Sequence, residues 1–115
     1  MTQLRRILIV EDEPLIAMML EDFLDALGKE VAGTADSVRS ALDCVAQGAI
    51  DAAILDVNLR GGEKSWPVAD ALADAGIPFV LATGGDVVAN GHDTRPVLAK
   101  PFTMDAVEKA LEALD

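Results

Sequence analysis

The sequence predicts an α/β domain: a doubly wound, five-stranded parallel sheet with helices on both faces. Three observations carry this expectation. Short aliphatic and β-branched runs alternate with longer stretches whose apolar residues recur every three or four positions. The short runs are apolar throughout rather than at every second position, as in strands buried on both sides. The resulting order, βαβαβαβ(α)βα, alternates strictly, which favours parallel strands joined by helical crossovers.

Ile7-Leu8-Ile9-Val10 is the first strand, and Glu11-Asp12-Glu13 follows it. Pro14 suits the first position of a helix, where its missing N–H costs nothing. Leu15, Ile16, Met19, Leu20, Phe23, Leu24 and Leu27 form one apolar face, and Gly28 ends the helix. Glu13 is expected to stabilise the start of that helix. Residues 30 to 35 read as a mixed strand at a sheet edge. Asp36 or Ser37 is placed to cap a second helix with Val38, Ala41, Leu42 and Val45 inward, closed by Gly48.

The run Ala52-Ala53-Ile54-Leu55-Asp56 is the third strand. It stops at one carboxylate and breaks into a polar, glycine-bearing loop over residues 60 to 65. Trp66-Pro67 opens a short helix with Val68, Ala69, Leu72 and Ala73 inward and Gly76 at its end. Residues 77 to 82 form the fourth strand, and Thr83 ends it at Gly84-Gly85. Between 86 and 95 the periodicity degrades, and Val87, Val88 and Ala89 support about one helical turn before Asn90-Gly91. Any helix there is expected to be short. Residues 96 to 99 are a last strand whose leading Pro96 favours an edge. Thr103 is placed to cap a final helix with Met104, Val107, Leu111 and Leu114 on one side.

A chain of 115 residues is one domain by length. With 51% hydrophobic but only 3% aromatic residues, its core must be aliphatic. Cys44 is the single cysteine, so no internal disulfide forms. A net charge of −11 argues against nucleic acid and anionic membranes as partners. No apolar run approaches a membrane span, and the N-terminus lacks the pattern of a signal peptide. The expectation is a cytoplasmic monomer. Residues 1 to 115 are expected to form a single domain, both termini being used by the fold, with no output domain.

In a doubly wound sheet, ligands bind beyond the carboxyl ends of the strands. Glu11 and Asp12 follow the first strand, Asp56 ends the third, Thr83 ends the fourth and Lys100 follows the fifth. Acids converging on one spot repel unless a cation shares it. All-oxygen ligands of this kind suit Mg²⁺, which takes one or two carboxylates and keeps waters. Lys100 and Thr83 supply a positive charge and a hydroxyl donor for phosphoryl oxygens, and Gly84 lets such a group approach the backbone.

These residues carry a family resemblance. The segments I-L-I-V-E-D-E-P (7 to 14), I-L-D-V-N-L (54 to 59), A-T-G (82 to 84) and K-P-F (100 to 102) resemble a response-regulator receiver domain of two-component signalling. The resemblance covers essentially the whole chain. It implies a flavodoxin-like strand order, 2-1-3-4-5. It implies that Asp56 accepts a phosphoryl group from a phosphohistidine on a histidine kinase or phosphotransfer protein. It also implies Mg²⁺ held by Asp12, by Glu11 through water, by Asp56 and by the backbone carbonyl of Asn58. Thr83 and Lys100 would then hold the phosphoryl oxygens. Such a protein serves as a phosphorylation-controlled interaction switch for a downstream regulatory protein, or as a phosphate sink. It is not an enzyme beyond accepting and losing its own phosphoryl group.

Two positions depart from the family pattern. Val97 stands three residues before Lys100, where receivers usually carry an aromatic residue or His, so an aromatic switch is not carried over. The 17-position step from Thr83 to Lys100 (100 − 83) leaves little room for a full helix and a strand. The A-T-G-G run resembles a stand-alone subgroup with a Phe-Ala-Thr-Gly signature, with Leu81 in place of the Phe.

Two other functions are compatible with parts of the pattern. One is a receiver-like interaction module that is never phosphorylated, which missing site residues would favour. The other is a phosphohydrolase with an Asp nucleophile. That class usually shows D-x-D after the first strand and an added cap, neither of which is present here. His92 is expected to be solvated, Trp66 to pack at a helix entrance and Phe102 to join the core or serve as a hinge, while Met18 on an exposed face would suit a soft interface.

Overall fold

The computed structural model describes residues 5–83, 96–99 and 102–114, apart from the side chain of Arg60. The elements are β1 (Arg6–Val10), α1 (Pro14–Ala26), β2 (Glu30–Ala35), α2 (Val38–Gln47), β3 (Ala52–Asp56), a 3-10 turn (Arg60–Gly62), α3 (Trp66–Asp74), β4 (Phe79–Thr83), β5 (Val97–Ala99) and α4 (Met104–Glu112). All five strands are parallel, in the order β2-β1-β3-β4-β5. This is the predicted doubly wound sheet, with β2 and β5 at its edges. The predicted short helix between 86 and 95 lies outside the described residues.

Alternation along the strands divides the interior into two cores. Ile7, Ile9, Ile54, Val80 and Leu98 face Ala17, Leu20 and Leu24 of α1 and Val107 and Leu111 of α4. Leu8, Val10, Leu55, Phe79 and Leu81 face Ala41 of α2 and Val68, Ala69 and Leu72 of α3. Helices therefore cover both faces of β1, β3 and β4, which is why these strands read as unbroken apolar runs. Burying one such side chain stabilises the fold by about 1.5–3 kcal/mol.

The helix boundaries follow their cap chemistry. Ser37 caps α2 by accepting from the Ser40 amide at 3.1 Å, and Ser40 Oγ in turn accepts from the Ser37 amide. Thr103 caps α4 by accepting from the Ala106 amide at 3.1 Å. Gly28 and Gly76, with φ of 77° and 73°, turn the chain out of α1 and α3. The next residues, Lys29 and Ile77, donate back to Leu24 and Leu72, so both exits are Schellman motifs.

Three expectations are corrected. Leu15 is 79% exposed and lies outside the buried face of α1, which runs through Ala17, Leu20 and Leu24. Leu15 and Leu24 are nine residues apart, which places them about 180° apart around the helix. Ala73 is exposed at the end of α3, and Met104 is exposed at the start of α4. Glu13, expected to stabilise the start of α1, stands at its N-cap position, and its side chain makes no capping bond. The Glu11 carboxylate instead accepts from the Glu13 amide at 3.2 Å.

At the amino-terminal end of the sheet, Asp51 ties β1 to β3. Its Oδ2 accepts from the amides of Arg5 and Arg6 at 3.0 and 2.9 Å. Those amides, Arg6 first, hold the Asp51 carboxyl below its ordinary pKa, aided by the Arg6 charge and opposed by slight desolvation. Arg6 also donates to the Ala49 carbonyl and to Glu30, joining the starts of three strands.

Candidate functional site

The opposite end of the sheet carries the acids. Val10 pairs with Leu55, so the next residues, Glu11 and Asp56, emerge side by side from neighbouring strands. Glu11 continues the ladder by donating its amide to the Ala35 carbonyl at 2.9 Å. Both side chains are buried, Glu11 to 2% exposure and Asp56 to 4%. Asp12, half-buried, completes the group, and one carboxylate oxygen from each of the three lies within 4.8 Å of the others. Three carboxylates held this closely repel one another unless a cation lies among them. A hard oxygen donor set at a partly buried strand end fits a small divalent ion such as Mg²⁺.

A cleft of about 310 Å³ opens beside this cluster between the loops after β1 and β2. It is lined by Glu11, Asp12, Pro14, Ala17, Thr34, Ala35, Asp36 and Ser40. Glu11 and Asp12 thus face an opening rather than a sealed core.

The remaining expected residues fall as follows. Asp56 pairs with Ala82, so Thr83 ends β4 one residue beyond the level of Asp56, and it is buried. Asn58 touches the end of β3 directly, donating its backbone amide to Asp56 Oδ1 at 3.2 Å. β5 ends at Ala99, immediately before Lys100. Lys100 and Gly84 lie outside the described residues, as does His92. Val97 is 48% exposed on the edge strand.

The loop after β3 contains contacts that its polar composition did not single out. Asn58 bridges to Lys64, whose ammonium donates to the Asn58 side chain. Leu59 donates to the Glu63 carbonyl at 2.7 Å. Gly61 and Gly62, with φ of 73° and 77°, allow the reversal between them. Ser65 is fully buried and gives both its amide and its hydroxyl to the Val57 carbonyl, at 3.0 and 3.3 Å. Glu63 reaches across to α2, where its Oε1 accepts from the Val38 amide at 2.9 Å. The signals for these roles were a serine just before a helix and adjacent opposite charges in a short loop. Neither distinguishes such a network from an ordinary solvated turn.

A five-stranded 2-1-3-4-5 sheet with acids gathered at the carboxyl ends of its first and third strands defines a class of signalling domains. The model of the response regulator receiver domain matches residues 7–112, and the chain belongs to that family of two-component signalling proteins. It is similar to SdrG from Sphingomonas melonis Fr1, whose solution structure is 67% identical, covers 99% of this chain and 98% of that one, and superimposes with a TM-score of 0.90. The BeF3-activated conformation of SdrG, from Pseudomonas melonis Fr1, is 66% identical over the same shares, with a TM-score of 0.84. The phyllosphere-induced regulator PhyR of Methylorubrum extorquens is 35% identical over 101 residues, 84% of this chain. The chain spans 38% to 55% of the length of the curated relatives it matches. Among the described residues, no helix is long and apolar enough to cross a membrane.

Proposed function

We propose that this receiver domain accepts a phosphoryl group on Asp56 from a phosphohistidine of a histidine kinase or phosphotransfer protein. The observation that carries this reading is the cluster of Glu11, Asp12 and Asp56, with carboxylate oxygens within 4.8 Å of one another at the mouth of the sheet. Asp56 is buried at the carboxyl end of β3, beside Glu11 and Asp12, which line an open cleft, a setting that suits a nucleophilic carboxylate. A relative 66% identical has a BeF3-activated conformation, which supports a response to a phosphoryl-shaped anion in this chain too.

In the transfer, a carboxylate oxygen of Asp56 attacks phosphorus, the P–N bond to the donor histidine breaks, and the leaving imidazole takes up a proton. The product is an aspartyl phosphate, and water later hydrolyses it to phosphate and the free carboxylate. Asn58 fixes the orientation of the Asp56 carboxylate through its amide. Glu11, Asp12, Asp56 and the Asn58 carbonyl would hold Mg²⁺, which when bound offsets the negative charge of the transferring group. The Thr83 hydroxyl donates to a phosphoryl oxygen, and Lys100 pairs with its charge.

Residues 1 to 115 then act as one receiver domain, cytoplasmic and monomeric, whose output is a phosphorylation-dependent surface or the draining of phosphoryl groups from a shared kinase. It has no catalytic turnover beyond its own phosphorylation and dephosphorylation. Incubation with acetyl phosphate tests the reading. Mg²⁺-dependent labelling is expected, removed by chelation and absent in Asp56→Asn. Equal labelling of the wild type and Asp56→Asn contradicts it.

A further inference from the structure

We propose that Glu63 is a positioning residue for the Asp56 site, acting by tethering the loop after β3 to the first turn of α2. The inference rests on the phosphoryl-acceptor reading of Asp56 and adds a residue to it. Glu63 lies seven residues past Asp56 in the chain (63 − 56), yet its carboxylate contacts a different layer of the fold. Its Oε1 accepts from the Val38 amide at 2.9 Å. Val38 is the first residue of α2, so this amide has no partner within the helix. The carboxylate also meets the positive end of the helix.

From Glu63 the contacts run back to the acceptor. Its carbonyl accepts from Leu59 at 2.7 Å, and its neighbour Lys64 holds the Asn58 side chain. The Asn58 amide donates to Asp56 Oδ1 at 3.2 Å. Two glycines with positive φ lie between these contacts, so the loop's own backbone preference does little to fix it. The α2 tether therefore sets where Asn58 stands, and Asn58 sets the orientation of the carboxylate. By the same connection, a change at Asp56 pulls on the Val38 amide, and α2 reports the state of the site.

The test uses the full chain with Glu63→Ala, Glu63→Gln and, as a control, Ser37→Ala. Ser37→Ala weakens the α2 cap without touching Glu63. Glu63→Ala is expected to slow labelling by acetyl phosphate at subsaturating Mg²⁺ about tenfold, as loss of an outer partner does at a metal site. Glu63→Gln keeps the acceptor oxygen and should stay within about twofold of wild type, since it loses only the helix-end charge term. Ser37→Ala should label as wild type. The Val38 amide resonance should shift on Mg²⁺ addition in wild type and Glu63→Gln but not in Glu63→Ala, a readout that simple destabilisation does not produce. Wild-type labelling by Glu63→Ala overturns the inference, and so does a Glu63→Gln that fails as Glu63→Ala does. A wild type that takes no phosphoryl group instead overturns the reading of Asp56 itself.

Discussion

Glu11 and Asp56 stand side by side because Val10 and Leu55 pair in the β1–β3 ladder. The acids are separated by 45 residues (56 − 11), and the register of two buried strands brings their carboxylates within 4.8 Å. Slipping that register by one residue would turn every core side chain of one strand to the opposite face, so the packing of both cores fixes the site.

Replacing Asp12 tests the proposed cation site without touching Asp56. Asp12→Asn keeps the shape and removes one charge from the cluster. We expect Mg²⁺ affinity, read by titrating the emission of Trp66, to fall by about tenfold or more. Trp66 is the only tryptophan, and it packs at the end of the loop that follows Asp56. Unchanged affinity would remove Asp12 from the ligand set.

Truncating Ile54 tests how far packing of the buried sheet stabilises the fold. Ile54 is 1% exposed in the core between the sheet and α1 and α4. Ile54→Ala should destabilise the fold by about 2–5 kcal/mol in urea unfolding, through lost burial and the remaining cavity. A loss well below that range would mean that the site readily collapses around the smaller side chain.

Asp51 predicts a pH dependence at the far end of the sheet. Its pKa is lowered in the fold from the ordinary 3.8 by the Arg6 and Arg5 amides. A depressed carboxyl stabilises the folded state at pH above its unfolded value, and that contribution is lost as pH falls through the lower folded value. Asp51→Asn should therefore be less stable than wild type at neutral pH, and the difference should narrow below about pH 4. Chemical unfolding at several pH values reads this directly. A difference that stays constant with pH would assign the effect of the variant to shape rather than to charge.

The Ser65 hydroxyl offers a test of the loop after β3. It is buried on the Val57 carbonyl, one residue past Asp56. Ser65→Ala removes that donor but leaves the amide bond from Ser65 to Val57 in place. We expect a loss of about 1 kcal/mol in thermal unfolding, typical of one buried hydrogen bond.

The sheet was legible because β1, β3 and β4 are buried on both faces, which leaves continuous apolar runs such as Ile7 to Val10. The caps at Ser37 and Thr103 were legible because they use local chemistry, a side chain bonding an amide three residues on. Leu15, Ala73 and Met104 were not. Helical periodicity marks a stripe but does not say how wide it is or how far along the helix the sheet reaches. Glu11, Asp12 and Asp56 could be placed at strand ends from the sequence, although their convergence needed the β1–β3 register. Glu63 gave no such signal. Its partner Val38 lies 25 residues earlier on another element, and only the folded chain brings them together.

The most direct measurement is chemical localisation of the phosphoryl group. The protein is labelled with acetyl phosphate and Mg²⁺, reduced with borohydride, and mapped by peptide mass spectrometry. Reduction converts an aspartyl phosphate to homoserine and leaves free carboxylates as they are. Homoserine at position 56, with Glu11 and Asp12 unchanged, is the predicted result. Homoserine at position 12, or an intact Asp56 in protein that carries label, would contradict the account.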